Sequence, residues 1–236
     1  IPVLFTSKGL IYLHRKISGP TLSEKEKEER RKNKMKKEEE IDELKITDCA
    51  ITMEWVDANA NVEMIAEELS PEYHTYGFMP EKARAYKKII YKNLYDGVDL
   101  VYNFVATNKT GFEYSLMVKP GADVSKIKMR YGGDLRKIKI DNDGNLILKS
   151  KAGVTEESIP VSYYGETAVD EKSNIPLMKS NFMLQDKEVS FVLPDNMDAS
   201  KSIVIDPFVT GTGNLTGTGV NAGIAKDVDF DYAGNV

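Results

Sequence analysis

Three aspartates near the C-terminal end of the sequence form the clearest candidate metal site. Asp227, Asp229 and Asp231 alternate with apolar or aromatic residues. In a strand they would share one face, because successive side chains point to opposite sides. Carboxylate oxygens are the ligands that calcium prefers in proteins. The pattern therefore indicates a candidate Ca2+ site, and no other cofactor is predicted.

A second candidate site is aromatic. Tyr73, Tyr76 and Phe78 lie close together in a predicted loop. Exposed aromatic side chains anchor protein partners, and in β-sandwich modules they also stack on sugars. The three residues are therefore candidate binding residues. The structural alternative, burial in the core, is favoured on sequence alone because tyrosine is often buried.

The other potentially reactive groups favour structural roles. His14 and His74 have no companions at metal-ligand spacing. Cys49 alternates in phase with apolar neighbours, which is typical of a small buried residue. Asp141 and Asp143 match part of a calcium loop, but the apolar residues that follow favour a hairpin turn. No Gly-x-Ser-x-Gly motif occurs, so a serine hydrolase is not expected. Spacing leaves a carboxylate pair for glycoside hydrolysis open, because the fold can bring distant residues together, but the chain is predicted not to be an enzyme.

Composition narrows the classes of partner. The chain has 236 residues, of which 41% are hydrophobic and 29% charged, and its net charge is −5. A nucleic-acid-binding protein concentrates cationic side chains on one face, so an acidic chain argues against that partner. No apolar run approaches the ~20 residues that a membrane-spanning helix needs. The sequence therefore predicts neither nucleic-acid binding nor a transmembrane segment.

The elements that would position these residues are mainly strands. Between residues 85 and 131, apolar and polar side chains alternate, and Asp96-Gly97 and Pro120-Gly121 interrupt the runs where turns form. Further strands are predicted at residues 3–6, 10–15, 46–56, 146–150, 159–165, 181–193 (with a turn at 185–187) and 201–207. Residues 62–69 fit a strand or a short helix, and residues 81–86 fit one helical turn. Short strands without recurring amphipathic helices indicate an all-β fold, mainly an antiparallel β-sandwich.

One charged segment interrupts this pattern. Residues 24–45 contain nine basic and nine acidic side chains, so the segment has no net charge. Ser23 and Glu26 form a capping-box pattern, and Glu26 and Arg30 are spaced as a favourable helical pair. The segment is predicted to be a solvated α-helix inserted at 23–45. Residues 30–37 are basic, so contact of this segment with anionic lipid or nucleic acid is an alternative. A helix that binds a partner protein is less favoured, because such a helix would normally show an apolar stripe.

Composition also suggests three regions. A β-sandwich-like domain is predicted at residues 1–209, followed by a linker rich in Gly and Thr at 210–223. Residues 224–236 then begin a new strand pair, which we interpret as the start of a β-propeller-type repeat.

Several stretches resemble, in order, the N-terminal β-rich domain of large secreted proteins of Bacteroidota. The most specific are YKNLYDGVDLVY (91–102) and VKPGADVSKIKMRY (118–131). AITMEWV (50–56), DGNLILKS (143–150) and SIVIDPFV (202–209) accompany them. In such proteins this domain precedes SBBP-type β-propeller repeats, and IAKDVDFDYAGNV (224–236) looks like the opening half of one.

The resemblance implies a setting rather than a reaction. Such proteins are typically exported by the type IX secretion system and act at the cell surface or beyond it. The chain is therefore expected to be a non-enzymatic structural or interaction module of a surface protein, such as an adhesin or a gliding-motility protein. Its expected partners are other surface or secretion-system proteins, or extracellular polysaccharide. The alternatives are a glycan-binding module and an accessory domain of a secreted enzyme whose catalytic part lies beyond Val236.

Overall fold

The structure is a computed structural model that describes residues 2–19, 45–75, 83–104, 111–167 and 175–212. These residues form an all-β fold. The only helical element in this part of the chain is a 3₁₀ turn at Val124–Lys126, which the Asp123 side chain caps by accepting a hydrogen bond from the Ser125 backbone N–H. Within the same ranges, no helix has the length and apolar character required to cross a bilayer.

Seventeen strands make up the described part of the chain. In order they are β1 (Val3–Thr6), β2 (Gly9–Ser18), β3 (Lys45–Trp55), β4 (Glu63–His74), β5 (Ala83–Tyr95), β6 (Val98–Asn103), β7 (Gly111–Val118), β8 (Lys128–Gly133), β9 (Lys137–Ile140), β10 (Leu146–Lys149), β11 (Val154–Glu157), β12 (Val161–Tyr164), β13 (Met178–Lys179), β14 (Asn181–Gln185), β15 (Glu188–Val192), β16 (Ile203–Asp206) and β17 (Phe208–Thr212).

The strands form two antiparallel sheets in a sandwich-like arrangement. The small sheet has six strands in the order β1-β2-β3-β8-β15-β14. The large sheet has eleven strands: β4, β5, β6 and β7 pair in succession, and β7 continues to the remaining strands through β16 and β17. The predicted antiparallel, sandwich-like all-β class is therefore confirmed.

The large sheet divides at Pro207. β6 pairs with β7 from Asn103↔Glu113 to Val98↔Val118, so it occupies one edge of β7 along most of its length. β16 and β17 lie one after the other along the opposite edge, and the Pro207 carbonyl between them accepts the Tyr114 N–H at 3.2 Å. Beyond β7, β16 pairs with β12, whereas β17 pairs with β11.

The core lies between the two sheets, as strand alternation requires. Ile51 and Trp55 of the small sheet face Leu100, Tyr102 and Leu116 of the large one, and all five side chains are buried. Aromatic rings meet edge to face in this layer; the Tyr102 and Phe5 ring centroids, for example, lie 4.9 Å apart. Such aromatic contacts contribute about 0.5–1.5 kcal/mol each beyond their burial.

Most predicted strands are confirmed, including the hairpin that turns at residues 185–187. Residues 62–69, for which two alternatives were open, lie largely in β4. The helical turn predicted at 81–86 is wrong, because Ala83 begins β5 and pairs with His74. Pairing with β4 satisfies these backbone groups and overrides a weak local helix pattern. The sequence patterns did not predict β9, β11, β13 or β17.

Some predictions fall outside the described residues. The inserted helix at 23–45 is one of them, apart from Lys45, which opens β3. The repeat at 224–236 is another. The predicted linker at 210–223 overlaps β17, which continues to Thr212, so the last strand of the large sheet extends past the predicted domain end at 209.

Candidate functional site

The two-stranded end of the β4–β5 hairpin is the candidate functional site. Lys88 of β5 is the last residue opposite β6, and the Lys87 carbonyl accepts the Phe104 N–H just beyond that strand. Farther along, residues 83–86 of β5 pair only with β4 in the described part of the chain. We call residues 69–74 and 83–86 the distal ribbon.

Large apolar side chains are exposed on the distal ribbon. Leu69 lies directly opposite Tyr86, and Tyr73 lies opposite Arg84. Leu69 is 55% exposed, Tyr73 48% and Tyr86 41%. Cross-strand partners share one face of a β-ribbon. The ribbon therefore presents an apolar and aromatic surface with an exposed arginine beside it.

Ion pairs and hydrogen bonds fix the base of this hairpin. Lys88 Nζ lies 2.5 Å from Glu68 Oε1, and Lys92 Nζ lies 3.0 Å from Asp99 Oδ2. Asp99 Oδ1 also accepts the Asn93 N–H at 2.7 Å. Burial raises the pKa of the Asp99 carboxyl, but the Asn93 N–H and the Lys92 ammonium outweigh it, so the pKa lies below its usual range. The carboxylate thus stays charged and holds the base of β5 in place.

The predicted binding residues are only partly within the described chain. Tyr73 is exposed, so the burial that the sequence favoured is wrong for this residue, and it lies in β4 rather than in the predicted loop. Tyr76 and Phe78 lie outside the described residues. Leu69 and Tyr86 were not predicted, because a large apolar side chain in a strand is equally typical of a buried face.

The predicted metal ligands Asp227, Asp229 and Asp231 also lie outside the described ranges. Among the described residues, no group of three or more His, Cys, Asp or Glu side chains could hold a metal ion. The hairpin predicted at Asp141 is confirmed: Asp141 Oδ1 accepts the backbone N–H groups of Asp143 and Asn145 at 3.0 and 2.9 Å.

A polar cluster that the sequence did not predict lies buried between the sheets. Glu157 of β11 is fully buried, and three tyrosine hydroxyls donate to it. Its Oε1 accepts Tyr131 at 2.7 Å and Tyr12 at 3.3 Å, and its Oε2 accepts Tyr114 at 2.9 Å. Tyr12 and Tyr131 belong to the small sheet, whereas Tyr114 and Glu157 belong to the large one. We call these four residues the inter-sheet cluster.

Burial governs the electrostatics of the inter-sheet cluster. It raises the pKa of the Glu157 carboxyl, and the hydrogen bonds from Tyr131, Tyr114 and Tyr12 oppose that shift only in part. Burial, together with the nearby Glu157 charge, also raises the pKa of all three tyrosines well above the usual value. The hydroxyls therefore remain protonated donors. Because every member is buried, the cluster joins the two sheets and offers no open surface to a substrate.

His14 is a further buried polar residue near the inter-sheet cluster, on β2 like Tyr12. It is 2% exposed, its Nδ1 lies 2.8 Å from Ser150 Oγ, and its Nε2 lies 2.8 Å from Thr155 Oγ1. Burial lowers the pKa of the imidazole. These contacts support the structural role predicted for His14. The side chain of Cys49, opposite His14 in β3, is buried as predicted.

Acidification should destabilise the protein through His14. The folded-state pKa lies below the ordinary value of 6.5, so the unfolded chain binds a proton that the folded chain excludes as pH falls through that value. Stability from this group is present above pH 6.5 and is lost below it, by at most about 1.4 kcal/mol per pH unit. The variant His14→Gln cannot titrate, so its free energy of unfolding should fall less steeply between pH 7 and pH 5 in urea titrations. Equal slopes for the two proteins would contradict this role of His14.

Comparison with known proteins gives one match. A family model described as "Domain of unknown function (DUF7948)" matches residues 2–208, most of the described chain. No curated protein and no solved structure matches the chain.

Proposed function

Since this chain belongs to the DUF7948 family, whose description states no activity, we propose its function from its own geometry: it is a non-enzymatic interaction module that presents the distal ribbon to a partner protein. The observation that carries the proposal is the exposed surface of Leu69, Tyr73 and Tyr86. Large apolar and aromatic side chains dominate the energetics of protein interfaces, and here three of them lie together on one two-stranded ribbon.

The anchoring of the ribbon also supports this function. Its base is held by the Lys92–Asp99 and Lys88–Glu68 ion pairs and continues into β6 and β7 of the large sheet. A surface on a rigid element loses little conformational entropy when it binds, so more of the contact energy becomes affinity. The distal ribbon is therefore suited to docking rather than to enclosing a small molecule.

For the biological setting we propose a large secreted protein of the bacterial cell surface, such as an adhesin or a gliding-motility protein. The resemblance of residues 91–102 and 118–131 to domains of such proteins supports this setting. Its partners would then be other surface or secretion-system proteins.

Replacing Leu69 and Tyr86 with serine should abolish partner binding and leave the protein folded. About half of each side chain is solvated, so the free energy of unfolding should fall by only about 1–2 kcal/mol, from the lost cross-strand pair and the lower strand propensity of serine. Ile17 and Ile46 provide a matched control, because they too are an exposed apolar pair directly opposite each other in two antiparallel strands. The variant Ile17→Ser/Ile46→Ser should bind as the unmodified protein does, with stability followed by urea titration.

Photo-crosslinking in the native protein tests the function directly. A photoreactive amino acid at position 86 of the full-length protein, displayed on its source cells, should give a discrete crosslinked product that mass spectrometry identifies. The same amino acid at position 46 should not give that product. Absence of a product from position 86, or the same products from both positions, would contradict the proposed role of the distal ribbon.

The exposed Tyr73 and Tyr86 rings favour one second candidate, glycan binding. Aromatic faces stack on sugar rings, and arginine, here Arg84, adds polar contacts nearby. This candidate predicts retention on a polysaccharide affinity column that the variants Tyr73→Ala and Tyr86→Ala lose. If no polysaccharide retains the unmodified protein, glycan binding is removed.

A further inference from the structure

β4 is an exposed edge of the large sheet. In the described part of the chain it pairs only with β5. Met64, Ala66, Glu67 and Leu69 are all exposed, so neither face of this strand is covered. An edge strand presents a row of backbone N–H and C=O groups along its outer side, which an extended segment of another protein can pair with.

One face of β4 continues into the distal ribbon, and along this face acidic and apolar side chains alternate. At the directly opposite positions of β5, basic and apolar side chains alternate. The directly opposite pairs are Glu63↔Lys92, Ile65↔Ile90, Glu67↔Lys88 and Leu69↔Tyr86. Opposite charges and apolar pairs at such positions stabilise neighbouring strands. β5 thus shows which kind of strand complements β4.

The two opposing lysines are engaged elsewhere. Lys92 Nζ lies 3.0 Å from Asp99, and Lys88 Nζ lies 2.5 Å from Glu68. Glu63 and Glu67 are exposed and form no ion pair within the described residues. An added strand would lie ~4.8 Å from β4, which brings its side chains beside these two carboxylates.

We propose that the outer edge of β4 over residues 63–69 binds an extended protein segment in which lysine or arginine alternates with apolar residues. This inference rests on the proposed function, since it assigns the chemistry of the partner that docks at this hairpin. Backbone hydrogen bonds to β4 supply affinity. Glu63 and Glu67 select basic residues, and Ile65 and Leu69 contact the apolar ones.

The same features disfavour a second copy of this chain as the occupant. Residues 63–69 contain no basic side chain, so no register of a second β4 would pair Glu63 or Glu67 with a cation, and several registers would bring like charges together. Glu68, whose φ is +57°, makes the edge irregular just before Leu69, and Pro71 and the shifted register between Leu69 and Tyr73 interrupt it beyond residue 69. The accessible edge is therefore short, acidic and matched to a basic partner.

A peptide that copies residues 84–92 (RAYKKIIYK) is a direct probe, because its sequence already complements β4 inside the protein. We expect the labelled peptide to bind the full chain in fluorescence anisotropy titrations and to slow amide hydrogen exchange in residues 63–69. A peptide with every Lys and Arg changed to Glu should not bind. Two further versions of the peptide carry N-methyl groups on one or the other set of alternate residues, which removes the backbone N–H donors of that set. If the peptide pairs as a strand, one version must lose binding, whereas simple charge attraction would leave both unaffected.

Matched protein variants complete the test. Glu63→Lys/Glu67→Lys should weaken peptide binding at least tenfold. Glu166→Lys/Asp195→Lys makes the same change in net charge at two exposed residues elsewhere and should leave binding unchanged. No binding of the peptide, equal binding of both N-methylated versions, or equal weakening by the two double variants would each overturn the inference. If the peptide fails while crosslinking from position 86 still identifies a partner, the edge inference falls and the proposed function stands.

Discussion

Replacing Glu157 with alanine should lower the free energy of unfolding by about 3–5 kcal/mol, because it leaves three buried hydroxyl donors without their acceptor at a cost of about 1–3 kcal/mol each. The Tyr12, Tyr114 and Tyr131 hydroxyls would each lose the acceptor that they share in the inter-sheet cluster. The change would also leave a cavity between the sheets. Because domains are stable by only about 5–15 kcal/mol, the variant would approach global unfolding.

Two matched variants show whether the carboxylate itself is responsible. Glu157→Gln keeps an oxygen that accepts hydrogen bonds and removes the cost of burying a charge, so its loss of stability should be much smaller. Glu156→Ala changes the same residue type one position away, on the opposite face of β11, and should cost no more than about 0.5 kcal/mol. Urea titrations at pH 7, followed by Trp55 fluorescence, measure all three. If Glu157→Ala lies within about 1 kcal/mol of the unmodified protein, the cluster does not hold the sheets together.

Replacing Gly133 with alanine should cost about 2–5 kcal/mol, the sum of backbone strain and a steric clash. Gly133 has a φ of +67°, and a Cβ built on it would lie 2.3 Å from the Ala50 carbonyl oxygen. That carbonyl cannot easily move away, because it accepts the Asp134 N–H at 2.8 Å while the Ala50 N–H donates to Asp134 Oδ2 at 2.8 Å. The clash would therefore disturb the pairing of β3 with β8.

Gly121 provides the control for this prediction. Its φ of +79° is similar, but a Cβ there would meet no atom within 4 Å. Gly121→Ala should therefore show the backbone strain alone, about 1–2 kcal/mol. The difference in melting temperature between the two variants isolates the effect of the close approach at Gly133. Equal losses of stability would mean that β3 and β8 shift apart at little cost.

Alternation predicted most strands because one face of each sheet is buried. Phe112, Tyr114, Leu116 and Val118 were expected to share a face, and all four lie in the core. The pattern failed at β11, because Thr155 and Glu157 are polar residues on a face that is buried. The cost of burying Glu157 and Thr155 is offset by hydrogen bonds from residues that are distant in sequence, and no local pattern shows that these residues will meet.

Only part of the candidate site could be predicted, because it too depends on contacts between residues that are distant in sequence. Tyr73 was singled out from the aromatic residues around it, but its exposure depends on how far β5 extends beyond β6. The assignment of residues 81–86 to a helical turn hid that extension. Leu69 and Tyr86 become recognisable as a surface pair only once the register of β4 and β5 is known.

The division of the large sheet at Pro207 also determines when the chain can complete its fold. β17 lies between β7 and β11 in the large sheet. Its pairing partners in β7 are about a hundred residues earlier in the sequence, and those in β11 are about fifty residues earlier. The fold thus has a high contact order, because its last described strand closes contacts made with segments synthesised long before it. Such topologies fold slowly, since loop entropy is lost before the contacts are gained. A nascent chain in which residues 208–212 have not yet been made leaves β7 and β11 without their shared neighbour, so the fold stays incomplete until those residues have been synthesised.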